Sequence, residues 1–135
     1  MFLQRFTDLS LFQGFTPEQI TEIYPILDQI PCEQDAVIFQ QGQLADFLYI
    51  LEDGEVVIQY KPYDGPALVV ARIRPGGVFG WSAALGREAY TSAAVVTQPG
   101  EAICIRKDSL QKFCSQHPET GKILLDSLGN QLMLM

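Results

Sequence analysis

With 135 residues, of which 47% are hydrophobic and 19% charged, the chain has the size and composition of one folded domain with a single core. Sixteen acidic residues against nine basic ones give a formal net charge of -7, and the basic residues are scattered, so no basic stripe suits a phosphate backbone and direct nucleic-acid binding is not expected. No apolar run approaches the ~18 residues that span a bilayer, and the opening MFLQRFTDLSLF carries Asp8 without a small-residue cleavage site, so the sequence predicts no membrane span or signal peptide and a cytoplasmic location.

In FLQRFTDLSLFQGF, Phe2, Phe6, Leu9 and Phe12 recur at spacings of three and four, which predicts a short amphipathic helix ending near Gly14. A second helix is expected after Thr16, an N-cap followed by Pro17 and by Gln19 in a capping-box pattern, with Ile20, Ile23, Tyr24 and Leu27 on one face. Pro25 stops or kinks that helix near Tyr24. The helical region is therefore read as residues 1–30.

Between about residues 31 and 106 the pattern becomes short apolar runs, AVIFQ, FLYIL, EVVIQY, ALVVARI, SAAVV and AICIR, which read as strands. Gly42, Asp53-Gly54, Asp64-Gly65-Pro66, Pro75-Gly76-Gly77 and Pro99-Gly100 read as the turns between them. An antiparallel barrel or roll, jelly-roll-like with flanking helices, fits this order. Over residues 107–135 the helical period returns, with one helix at KDSLQKFCSQ and another opening at Pro118. In the latter Leu125, Leu128, Leu132 and Met135 are spaced like a two-helix seam, which suggests a homodimer or, equally, packing on the chain's own roll.

The chemistry-bearing residues are sparse. Cys32, Cys104 and Cys114 are widely spaced and only His117 is available beside them, so buried or half-buried free thiols are expected and no metal site. Glu52, Asp53 and Glu55 flank a turn glycine and read as a solvated face. Tyr63 and Tyr90 read as surface or core aromatics of the roll, and His117 as part of a helix-helix corner. There is no nucleophile elbow, ligand cluster or shielded carboxylate pair, which speaks against an enzyme.

One segment carries more. In GQLADFLYILEDGEV, the positions of Gly42, Asp46, Leu48, Tyr49, Ile50, Gly54 and Val56 resemble the cyclic nucleotide-binding domain family, and the resemblance runs over nearly the whole chain. It implies a β-roll (a double-stranded β-helix) with N-terminal helices and two C-terminal helices. Function in that family lies in a phosphate-binding cassette, which VFGWSAALGREAYTSAAVVT resembles in outline. Phe79 and Gly80 match its start, Ser82, Ala83, Ala84 and Leu85 its short helix, and Ser92 with Ala93 the pair after its arginine. Trp81 stands where the family's glutamate is expected and Thr91 where its arginine is expected. Charge-assisted hydrogen bonds contribute ~1.5–3 kcal/mol each, so losing two implies affinity for a cyclic nucleotide lower by roughly two to four powers of ten.

Arg87 is a candidate substitute reaching in from the cassette, or else a solvated loop charge. Trp81 either stacks on a planar ligand or fills the ribose volume and closes the site. The expected function is a non-enzymatic regulatory domain that binds a small-molecule effector in the roll, signals through the C-terminal helices and has weak or no affinity for ordinary cyclic AMP or GMP; no cofactor is expected. The alternatives are a ligand-free module dimerising through Leu125, Leu128 and Leu132, and a genuine cyclic-nucleotide binder using Arg87 and backbone groups. No effector segment precedes Met135, so the output is expected through a separate partner or a part outside this sequence.

Overall fold

The computed structural model describes residues 9–133. Of the predicted opening helix, Phe2 and Phe6 lie outside them; what is described is a 3-10 turn, Ser10–Phe12, that buries Leu11 and Phe12. Helix α1 (Pro17–Ile23) starts as expected: the Thr16 side-chain oxygen accepts from the Gln19 N–H at 3.2 Å, and Gln19 Oε1 accepts from the Thr16 N–H at 2.9 Å. Pro25, without an N–H to continue the ladder, falls in a 3-10 turn, Tyr24–Ile26, that ends the helical region. Beyond it the structure corrects the expected boundary, because Leu27–Cys32 is strand β1 and not the tail of a helix.

Five further strands follow: β2 (Val37–Phe39), β3 (Phe47–Tyr60), β4 (Leu68–Ile73), β5 (Val78–Phe79) and β6 (Ala93–Arg106). They form an antiparallel roll in the order β1-β6-β3-β4, with β2 also paired to β6 and β5 to β3. FLYIL and EVVIQY, expected as two strands, are one; so are SAAVV and AICIR. Gly54 and Gly100, read as turn residues, lie inside these long strands, where the β3–β6 register shifts repeatedly between Leu51 and Val56. A Cβ on Gly100 would stand 2.0 Å from the Asp53 carbonyl oxygen, and one on Gly54 2.4 Å from that of Gln98, so the two backbones cross in contact. Gly54 also sits at φ 91°.

The irregular register changes the fate of the expected acidic surface. Asp53 is exposed, but Glu52 is only 6% exposed and accepts from Gln29 Nε2 of β1 at 2.7 Å. Glu55 is half-buried and accepts from the Thr97 hydroxyl at 2.6 Å.

Successive residues of β3 and β6 serve two different cores, which explains their unbroken apolar runs. Leu48 and Ile50, with Ile103 and Ile105, pack with Leu11, Phe12, Ile23 and the C-terminal helices. Tyr49 and Leu51, with Ala102 and Cys104, fill the roll with Phe39, Phe79 and Tyr90. Cys32, Cys104 and Cys114 are free thiols; the first two are buried and the third half-buried.

Helix α2, one turn long, is Trp81–Ala84. Helix α3 (Lys107–Gln116) coincides with the segment expected, and α4 is Pro118–Met133. At their corner His117 Nδ1 lies 3.3 Å from Glu22 Oε2, while the Thr120 hydroxyl donates to Glu22 Oε1 at 2.5 Å, tying the corner to α1. Thr120, Leu124 and Leu128 form the inward face of α4. Leu128, expected in an intermolecular seam, is 4% exposed and packs in its own chain's core, whereas Leu125 and Leu132 are 52% and 40% exposed; Met135 lies outside the described residues. No helix among the described residues is long and apolar enough to cross a membrane.

The crossing separates two kinds of glycine. Gly42 has a similar φ of 89°, but a Cβ there would meet nothing within 4 Å. Gly42→Ala should therefore show only the backbone cost of about 1–2 kcal/mol, and Gly54→Ala should lose clearly more in urea unfolding. Equal losses would show that the contact between the strands is not limiting.

Candidate functional site

Strand β5 delivers the chain to Gly80, which turns at φ 78° into α2. Only glycine fits there, since a Cβ would approach the Phe47 carbonyl oxygen at 2.9 Å and the Tyr49 ring at 3.0 Å. The loop after α2 is closed by two backbone bonds, Leu85 N–H to Trp81 C=O and Arg87 N–H to Ser82 C=O, each 2.9 Å.

Beside this turn lies an open cavity of about 280 Å³. Its walls bring together Phe79, Gly80, Trp81 and Ser82 with Thr91 and Ser92, six of the residues singled out in the sequence. The other expected site residues do not line it. Ala83 is buried in the roll core, Ala84 packs toward the helical core, and Leu85 and Arg87 are exposed. Arg87 is thus not placed to substitute for a missing cassette arginine.

Five lining residues were not identified as site residues: Phe39, Ile58, Val70, Ala71 and Tyr90. The register pair Ile58↔Ala71 places two of them side by side on β3 and β4. Val70 precedes Ala71 on β4, and Phe39 and Tyr90 belong to an aromatic stack, with Phe39 against Tyr90 at 3.7 Å between ring centroids and 14° between planes, Phe39 against Tyr49 at 5.7 Å, and Tyr49 against Phe79 at 5.1 Å. The Tyr90 hydroxyl donates to the Phe47 carbonyl at 2.6 Å and accepts from the Phe47 N–H at 3.1 Å, which locks the stack to β3.

Among the described residues no charged side chain lines the cavity; its polar lining residues are Ser82, Thr91, Ser92 and Tyr90, the last with its hydroxyl held by Phe47. Trp81 does not plug it. Trp81 is half-buried, packs against the helical core and borders both this cavity and a second cleft. Low polarity is also felt by the groups beneath. Burial, followed by the nearby Tyr90 hydroxyl, holds Tyr49 far above the usual phenol range. Burial raises Tyr90 too, against the Phe47 N–H, which favours the phenolate. Cys104 is pushed from 9.0 to about 11 by burial first and the Asp28 carboxylate second, opposed by Arg106. No group of three or more His, Cys, Asp or Glu among the described residues could hold a metal ion.

Comparison with known proteins agrees with this architecture. Residues 29–117 match the sequence model of the family described as "Cyclic nucleotide-binding domain". The chain is 26% identical over 122 residues to the CRP-like cAMP-activated global transcriptional regulator of Mycobacterium tuberculosis, covering 90% of this chain and 54% of the relative. It thus spans about half the length of that curated relative. Among solved structures it is similar to a putative cyclic nucleotide-binding protein from Geobacter metallireducens, at a TM-score of 0.84 and 25% identity, over 99% of this chain and 97% of the other. The fold is shared by the regulatory subunit of a cAMP-independent protein kinase A from Trypanosoma brucei, solved as a mutant bound to cAMP, at a TM-score of 0.80 and 17% identity over 96% of this chain and 45% of the other.

Two outcomes follow from the geometry. Tyr90→Phe strips Phe47 of both partners on the hydroxyl and should cost about 1–3 kcal/mol in chemical unfolding; a neutral result would mean that the hydroxyl does not hold the stack. For Cys104, a folded pKa above the unfolded one gives stability that is complete below pH 9.0 and is lost as pH rises toward about 11. The loss measured by urea unfolding across that window should be shallower in Cys104→Ala, and an identical slope would exclude this thiol as a contributor.

Proposed function

This chain belongs to the cyclic nucleotide-binding domain family, and we propose that within it the chain is a non-enzymatic regulatory domain whose roll takes a small, largely apolar effector and binds ordinary cyclic AMP or cyclic GMP only weakly. The observation that carries this reading is the uncharged lining of an open cavity. A cyclic phosphate placed there would lose its hydration and meet hydroxyl and amide donors, but no guanidinium. A flat apolar ligand would instead face Phe39, Phe79 and Trp81. That a cAMP-independent protein kinase A regulatory subunit has the same fold supports treating the roll and cyclic-AMP dependence as separable.

The output is proposed to run through Trp81. Trp81 borders the cavity and packs against the core cluster that includes Leu124 and Leu128 of α4, so a ligand that moves this residue bears on the seat of that helix. A second reading, a module that pairs through α4, is favoured by the exposure of Leu125 and Leu132, seven residues apart on that helix. Binding of a cyclic nucleotide through Arg87 is not favoured, since Arg87 is exposed and outside the lining.

Thr91 lines the cavity at the position where the family's arginine is expected, so Thr91→Arg should restore one charged anchor. Calorimetric titration with cyclic AMP is expected to show the variant binding roughly 10- to 150-fold more tightly than the unaltered chain, the equivalent of one charge-assisted hydrogen bond. Unchanged affinity would contradict the proposal that a missing cation limits binding.

A further inference from the structure

Trp81 also borders a second cleft, about 450 Å³, whose lining, unlike that of the roll cavity, carries charge. Its lining includes Arg72 and Arg74, two of only nine basic residues in the chain. They stand two apart on an extended segment, a spacing that turns both to the same side, and Ile73 between them is buried. Arg72 is engaged on one side by Glu55, at 3.4 Å, but its side chain remains 55% exposed. Arg74 is exposed at the end of the same strand.

The lining also includes a polar pair from two other elements. Gln131 of α4 donates to the Ser10 hydroxyl oxygen at 2.8 Å, which leaves the serine proton for another acceptor. Trp81, Pro75 and Val78 add apolar residues to the same lining.

We infer that this cleft is a binding site for a small organic anion, its carboxylate or phosphate held by Arg72 and Arg74 and its flat apolar body laid against Trp81. Two guanidinium groups suit an anionic oxygen pair, and the mixed lining matches the usual form of small-molecule sites, an apolar surface with a few convergent polar groups. Such a ligand bridges the β4–β5 connection to α4 through Gln131.

The test uses 1-naphthoate as the anionic probe and 1-naphthamide as its neutral counterpart, each titrated calorimetrically and followed by the indole N–H resonance of Trp81, the only tryptophan. Naphthoate should bind and shift that resonance. Binding should weaken at least about tenfold for naphthamide and for Arg74→Gln, and should stay within roughly twofold in Thr91→Arg, which adds charge only to the roll cavity. Absence of naphthoate binding at millimolar concentration, an affinity unaffected by Arg74→Gln, or an affinity that rises with Thr91→Arg would overturn the inference.

Discussion

The contact on which this molecule depends is the crossing of β3 and β6 at Gly54 and Gly100. Two 14-residue strands paired along most of their length would otherwise make a gently twisted ribbon. Because neither glycine carries a side chain, the backbones meet where no Cβ fits, and the shifted register there bends both strands together. The bend gives the sheet an inside. One set of residues from the two strands then faces an aromatic interior, while the alternate set faces the helices.

That division places the cavity between two regimes. Its floor is the stack formed by Phe39, Tyr49, Phe79 and Tyr90, anchored by one tyrosine hydroxyl that serves both polar groups of Phe47. Its edge is Gly80 and the one-turn helix after it, held close to the floor because glycine is required at the turn. The chain keeps the family's fold, and an indole and a hydroxyl stand where the resemblance expects the two charges of its cassette. On the proposed reading, fold and ligand chemistry separate at two positions, Trp81 and Thr91.

Much of this was legible in the chain because it rests on local chemistry. The capping box at Thr16 and Gln19, the stop at Pro25 and the exact span of α3 each depend on neighbours a few residues apart. Strand β1 was not legible: Leu27 continues the helical spacing of Ile20, Ile23 and Tyr24, and only pairing with the distant β6 makes LDQIPC a strand. The same limit applies to the site. The contiguous residues Phe79 to Ser82 could be found from their pattern, whereas Phe39, Ile58, Val70 and Ala71 arrive from three other strands whose register is set by irregularities. Arg87 and Leu128 show the converse. Each had a plausible role by spacing, and the turn of the loop or helix directs one to solvent and the other into the core.

The central claim is that an intact roll with an uncharged cavity has little affinity for a cyclic phosphate. The most direct measurement is a calorimetric titration of the unaltered chain with cyclic AMP and cyclic GMP at physiological salt. The account predicts dissociation constants no tighter than about 100 μM, given the loss of two charge-assisted anchors. Binding of either nucleotide at or below roughly 1 μM would contradict it, because about 8 kcal/mol of binding free energy would then arise without a guanidinium donor or a carboxylate acceptor.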